Sequence, residues 1–289
     1  MLVDKKPDVC VMGLGYIGLP TAAVIARSGC RVLGIDVHQH VVDTINRGEI
    51  HIEEVDLDGL VQGVVQRKLL RASTMVEPAD VFVIAVPTPF GENHAPDISY
   101  VLSAATSIAA ALKAGDTVIV ESTSPVGTTD RVKDLIAQLR PDLKVPGVTT
   151  ETPDIAIAYC PERVLPGKIL EELISNDRSI GGITPRCARK ALSFYKRFVR
   201  GECVTTDARS AEMTKLVENA FRDVNIALAN ARAGKTVKYF ALEGEPLEIE
   251  RRNKYKLLAE LAFRARRDLS ELNYPDWYRM KCEHIVGDL

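Results

Sequence analysis

"VMGLGYIG", residues 11–18, stands between two stretches of different periodicity, and that position decides how it is read. The residues leading into it, "DVCVM" (8–12), form a short apolar run of the kind that makes a buried parallel strand. The residues after it, "LPTAAVIARSG" (19–29), carry apolar positions at helical spacing. A strand, a glycine turn and a helix in that order are the context in which Gly13, Gly15 and Gly18 make a dinucleotide-binding turn. Gly13 permits the tight turn and Gly15 lets a pyrophosphate approach the backbone. The amides near Tyr16 and Ile17, at the helix start, face the phosphates. Asp36 closes "VLGID" at about the 20-residue distance at which a carboxylate accepts hydrogen bonds from the adenosine ribose. A carboxylate there repels the extra phosphate of NADP, so the cofactor read from these residues is NAD.

Outward from this turn the alternation continues. "VFVIAVPTP" (81–89) is a buried strand, "YVLSAATSIAAALKAG" a helix and "DTVIVESTSP" a strand. "TTDRVKDLIAQL" is again helical, "IAIAYCPER" a strand running into a loop, and residues 186–199 and 209–230 are helical. The expected fold is α/β, a doubly wound parallel sheet followed by helices. Polar residues gather at two strand ends: Thr88 in "AVPTPF", and Ser122, Thr123, Thr128 and Thr129 in "ESTSPVGTTD". Ligands of open α/β sheets bind at such ends, although Ser and Thr there also cap helices. Lys215, Asn219 and Arg222 recur at i, i+4 and i+7 on one helix face. That face suits an anionic, hydroxyl-rich ligand, and equally suits plain solvation.

Composition excludes several classes. The chain has 289 residues, 46% hydrophobic and 26% charged, with a net charge of −2. That balance gives no basic surface for nucleic acid. No apolar run is long enough for a membrane span, and the first residues leave no room for a signal peptide. Six scattered cysteines with no CxxC pair read as free thiols of a cytoplasmic protein, with no metal site.

"GLGYIGLPTAAVIA", "GIDVHQHVVDTINRGEIHI", "AVPTPF", "ESTSPVGTT", "AYCPERVLPG", "NDRSIGG" and "GECVTTDARSAEMTKLVENAFRDVNIALAN", taken together and in order, resemble the nucleotide-sugar dehydrogenases. The likeness runs from about residue 8 to 230. "PERVLPG" has Pro166 where many UDP-glucose enzymes carry a second acidic residue, which resembles the branch acting on N-acetylated sugars, and the motifs together look most like the members acting on UDP-N-acetyl-D-mannosamine. The resemblance implies two hydride transfers to NAD that take the sugar C6 hydroxyl to a uronate through a cysteine thioester. It implies Lys215 as acid/base or oxyanion-holding group, Asn219 beside it, Thr123 ordering a water and Glu162 assisting proton movement. It implies Arg163, Val164 and Arg222 along the sugar or diphosphate. Gly13, Gly15, Tyr16, Ile17, Gly18, Asp36, Thr88 and Thr129 would bind NAD. It further implies a UDP-sugar partner and a homodimer built on the long helix.

Residues 231–289 do not continue the resemblance. "ARAGKTVKYFALEGEP" is turn-rich, and from Leu247 an apolar stripe at Leu258, Ala262, Ala265, Leu269 and Leu272 reads as a helix. No glycine-rich "GGHC"-like loop follows residue 230, and the one later cysteine is Cys282. The expected division is a cofactor domain over 1–208, the start of a linking helix over 209–230 and a helical tail over 231–289. The alternative readings are a non-catalytic NAD-binding module or truncated or chimeric dehydrogenase, and a dehydrogenase of another UDP-sugar.

Overall fold

In the computed structural model the described residues are 6–89, 96–147, 152–165, 167–232, 237–240 and 246–249, with side chains through residue 221. The chain divides into two compact units, Met1–Glu218 and Asn219–Leu289.

The first unit is built on one sheet. Its strands are β1 (Val9–Met12), β2 (Val32–Ile35), β3 (Leu70–Ser73), β4 (Val81–Ile84), β5 (Thr117–Val120), β6 (Ala156–Tyr159), β7 (Arg178–Gly182) and β8 (Cys203–Asp207). Their order is β3-β2-β1-β4-β5-β6-β7-β8, and the first six positions are the strand order of a doubly wound dinucleotide fold. All neighbours pair in parallel except β6 and β7. The antiparallel β7 departs from the all-parallel expectation. It touches β6 through two residue pairs, Ala158 with Gly182 and Tyr159 with Gly181.

Strand side chains alternate between two cores. Val9 and Val11 face α1 (Gly18–Arg27), α2 (Gln39–Asn46), α3 (Leu57–Gln66) and α7 (Pro185–Tyr195). Cys10 and Met12 face α4 (Ser99–Ala109) and α5 (Thr128–Leu139). Burial on both faces is why these strands read as continuous apolar runs rather than alternating ones. α6 (Ile169–Ser175) packs Ile169 and Leu173 on Val24 of α1. α3, β3, α6 and β7 are additions to the elements read from the sequence. α8 (Ala208–Arg232) begins in the first unit.

In the second unit β9 (Val237–Phe240) and β10 (Pro246–Ile249) pair antiparallel, with Leu247 opposite Tyr239. The helix expected from Leu247 therefore begins as a strand. "PLEI" alternates apolar and polar at period two, and "VKYF" is β-prone. The rest of that helix, and Cys282, lie outside the described residues.

Candidate functional site

The glycine turn is held by sterics that admit no side chain. Gly13 has φ +88° and a Cβ there would come within 2.8 Å of the Ala85 carbonyl oxygen. A Cβ on Gly18 would stand 1.8 Å from the Gly13 carbonyl oxygen, so α1 can start this close to β1 only with glycine. Gly15 differs: nothing lies within 4 Å of where its Cβ would be. Its hydrogen faces open space, which is the requirement for a pyrophosphate to approach the backbone. Among the described residues the N–H groups of Tyr16 and Ile17 have no acceptor. Tyr16 is 58% exposed, and Ile17 is the residue from which α1 begins.

Asp36 sits at the end of β2, across from this turn. Its Oδ2 accepts the Leu14 N–H at 3.1 Å, and its Oδ1 accepts the His38 N–H at 3.0 Å. Burial pushes its pKa up, but the His38 and Leu14 amides win and hold the carboxyl below the usual carboxylate range. It is a carboxylate fixed in place and kept ionised at the end of β2. β1 and β4 flank the point where the strand order reverses, and the turn lies at their carboxyl ends. The donors, the open Gly15 and the anchored carboxylate together fit a dinucleotide.

The loops after β4 and β5 are stitched to each other. Thr88 donates its hydroxyl to the Thr123 carbonyl at 2.6 Å, and Ser122 donates to the Val86 carbonyl at 2.7 Å. Thr128 is turned onto the Pro125 carbonyl. Thr129 is wholly buried and donates to Glu212. Among the described residues the Thr123 hydroxyl has no hydrogen-bond partner, and the residue is half-buried.

After β6 the chain carries Glu162, Arg163 and Val164 toward α8. Lys215 Nζ donates to the Glu162 carbonyl oxygen at 2.7 Å and to its Oε1 at 3.0 Å. Glu162 Oε2 accepts the Val164 N–H at 3.1 Å. Lys215 is 6% exposed, which rules out the reading of this helix face as merely solvated. Arg163 is ion-paired with Glu218 of α8 and donates to the Asp177 carbonyl at 3.3 Å. Asn219 and Arg222 lie farther along α8, in the second unit. The Arg222 side chain is outside the described residues.

Groups not singled out from the sequence support these. Glu121 opens the "ESTSP" stretch and is buried, accepting the Tyr195 hydroxyl at 2.7 Å. The buried Arg178 approaches it at 3.7 Å and lies over the Tyr195 ring at 5.1 Å. Burial pushes the Glu121 carboxyl up, with Arg178 opposing. Glu54 accepts the Gly167 and Ile169 N–H groups at 2.9 and 3.0 Å, fixing the start of α6. Arg178 opens β7 ("RSIGG"), a stretch whose charge and glycines gave no local signal of the buried pair.

The described cysteines are poor nucleophiles. Cys10, Cys30, Cys160 and Cys187 are buried. Burial pushes the Cys10 and Cys160 thiols up to about 12, and raises that of Cys203. No group of three or more metal-ligating side chains occurs among the described residues. No helix among them is long and apolar enough to cross a membrane.

Strand order, glycine turn and the anchored carboxylate at the end of β2 fit a doubly wound NAD-binding domain. The chain belongs to the UDP-glucose/GDP-mannose dehydrogenase family: the model of that family's NAD binding domain matches residues 7–199. It is 59% identical over 222 residues to an NDP-N-acetyl-D-galactosaminuronic acid dehydrogenase of Ralstonia nicotianae, covering 77% of this chain and 52% of that protein. It is 58% identical to the UDP-N-acetyl-D-mannosamine dehydrogenase of Escherichia coli, covering 77% and 53%. The solved UDP-N-acetyl-mannosamine dehydrogenase of Staphylococcus aureus matches at 47% identity and TM-score 0.69, covering 77% of this chain and 52% of that one. The chain spans about half the length of the curated relatives it matches. A 3-hydroxyisobutyrate dehydrogenase of Mycobacterium tuberculosis, 17% identical at TM-score 0.53, shares the fold alone.

Proposed function

We propose that this chain carries the cofactor and proton-handling half of an NAD-dependent dehydrogenase that oxidises the C6 hydroxyl of UDP-N-acetyl-D-mannosamine toward the uronate. The observation that carries the reading is the Lys215–Glu162 pair, a nearly buried ammonium held on a carboxylate and a carbonyl at the carboxyl end of β6. NAD, when bound, accepts the hydride from C6. Gly13, Gly15 and Gly18 with the Tyr16 and Ile17 amides would hold its pyrophosphate. Asp36 would hold the adenosine ribose. Thr88 shapes the neighbouring loop through Thr123, and Thr129 does so through Glu212.

On the substrate side Lys215 would stabilise the oxyanion that develops at C6 as the hydroxyl proton leaves. Glu162, bonded to it, would take up or return that proton. The uncommitted Thr123 hydroxyl would order a water. Arg163 and Val164 would border the sugar, and Asn219 and Arg222 keep the substrate roles that the family resemblance implies for them. The second oxidation needs a thiol that adds to the aldehyde, and a thioester that water then cleaves. Among the described residues no cysteine suits that step, which favours one specific alternative, a chain that binds NAD and performs at most the first oxidation.

The test is NADH formation by the purified chain with NAD and UDP-N-acetyl-D-mannosamine, with Lys215→Ala beside it. Two NADH per sugar, lost in the variant, would give the full reaction, with the nucleophile in the undescribed residues. One NADH with aldehyde released would give the first step alone. NAD binding with no NADH would leave only the binding module. Absence of NAD binding sinks the reading.

A further inference from the structure

Glu212 lies on α8, three residues before Lys215 and on the same helix face. It is 0% exposed. Its Oε1 accepts the Thr129 N–H at 2.8 Å and the Thr129 hydroxyl at 2.6 Å, and its Oε2 accepts the Gly127 N–H at 2.6 Å. These are first-turn donors of α5, which has no side-chain cap of its own from Gly127. A carboxylate 83 residues away in sequence therefore closes that helix start.

One turn of α8 thus makes two attachments. Glu212 fixes it to the loop after β5, the loop that carries Thr123. Lys215 fixes it to the loop after β6, through Glu162. A lysine stem has four rotatable bonds, and its ammonium stays where it is needed only if its helix is set in register. Ala208 and Ala211 bury the start of α8 against Gly181 of β7. Met213 and Val217, between and beyond Glu212 and Lys215, are 50% and 57% exposed, so the small apolar contact ends before Lys215 and the turn that carries it is held by polar groups.

We propose that Glu212 is the positioning residue for Lys215: its buried carboxylate, clasping the start of α5, sets the register of α8 that delivers the ammonium to Glu162. The proposal rests on the role given to Lys215 above. A carboxylate suits the task because helix-start amides bind an anion better than a neutral acceptor. An amide in its place turns an NH₂ toward either the Gly127 amide or the Thr129 pair.

The test is competitive labelling of the full chain with acetic anhydride, read residue by residue by mass spectrometry, with the exposed Lys68 and Lys196 as internal references. In the unaltered protein Lys215 lags both references. In Glu212→Gln its rate relative to them rises about tenfold, the size expected when a buried hydrogen-bonded group loses its hold. Thr129→Val removes the hydroxyl donor at similar volume and gives a smaller rise in the same direction. A cap that only stabilised α5 would lower the melting temperature and leave the relative rate of Lys215 unchanged, and that result overturns the proposal. If Glu212→Gln does not fold, an unchanged rate in Thr129→Val overturns it. NAD binding measured on the same unaltered sample separates the questions, since its absence would sink the functional reading while the labelling still decides the role of Glu212.

Discussion

The Lys215 ammonium lies 2.7 Å from the carbonyl oxygen of Glu162 and 3.0 Å from its carboxylate, so one side chain meets the backbone and the charge of one partner. Both side chains are mostly shielded, at 7% and 14% exposure. Truncating one leaves the other charged group without its counterpart in a poorly solvated place. Lys215→Met is expected to cost about 3 kcal/mol by denaturant unfolding, and Lys215→Met with Glu162→Gln to cost less than the two single changes summed. Additive costs would mean that the two residues act independently.

The glycines of the turn separate stability from binding. Gly18→Ala drives a methyl into the Gly13 carbonyl and is expected to lower the melting temperature sharply. Gly15→Ala meets no protein atom, so it should leave stability within about 0.5 kcal/mol. Its methyl occupies the approach to the backbone, and NAD affinity by calorimetry should fall by about tenfold or more. Unimpaired NAD binding in Gly15→Ala would place the pyrophosphate elsewhere.

With Asp36 in the proposed ribose role, its ionisation is expected to set the pH range of cofactor choice. Its folded pKa is depressed, so its contribution is complete above the unfolded value of 3.8 and is lost as pH falls through the still lower folded value. Preference for NAD over NADP should therefore persist from about pH 8 to pH 5, where this carboxyl is ionised, and narrow only as the 2′-phosphate of NADP takes up a proton near about pH 6. Asp36→Asn should lose most of that preference at every pH in the range. A preference that survives intact in Asp36→Asn would assign it to another group.

Arg178 depends on Glu121 for its charge balance. Glu121→Gln keeps the shape and an acceptor for Tyr195 but leaves a buried guanidinium without an anion. It should cost about 3–5 kcal/mol in chemical denaturation. A cost under about 1 kcal/mol would mean that the pair is neutralised some other way.

The thiols give an independent check. With burial holding Cys10 and Cys160 at about 12, neither should react with a disulfide reagent at pH 8 in the native protein, and both should react on unfolding. Prompt native modification of Cys160, mapped by mass spectrometry, would reopen it as a nucleophile.

Much of this was legible in the sequence because the relevant signals are local. The strand, glycine turn, helix and Asp36 lie within one short stretch, and helical spacing put Lys215 on a common face with Asn219. β3 was missed because "LRAS" has two polar residues in four. β7 was missed because its glycines and buried Arg178 do not look like a strand. Glu212 is one turn from Lys215 in "EMTK", a visible clue. Its partners, however, lie more than 80 residues away, and single-sequence spacing carries no record of that pairing. Glu121 and Arg178 escaped notice for the same reason.

Glu212 also has a consequence for how the protein meets small ions. Two helices, α1 and α5, begin near the strand ends, and each could draw phosphate or sulfate from a buffer. At α5 the chain supplies its own anion, out of reach of solvent and of ionic screening. Inorganic phosphate should therefore compete with the nucleotide at α1 alone, and rising salt should loosen the ligand long before it loosens the grip of α8 on α5.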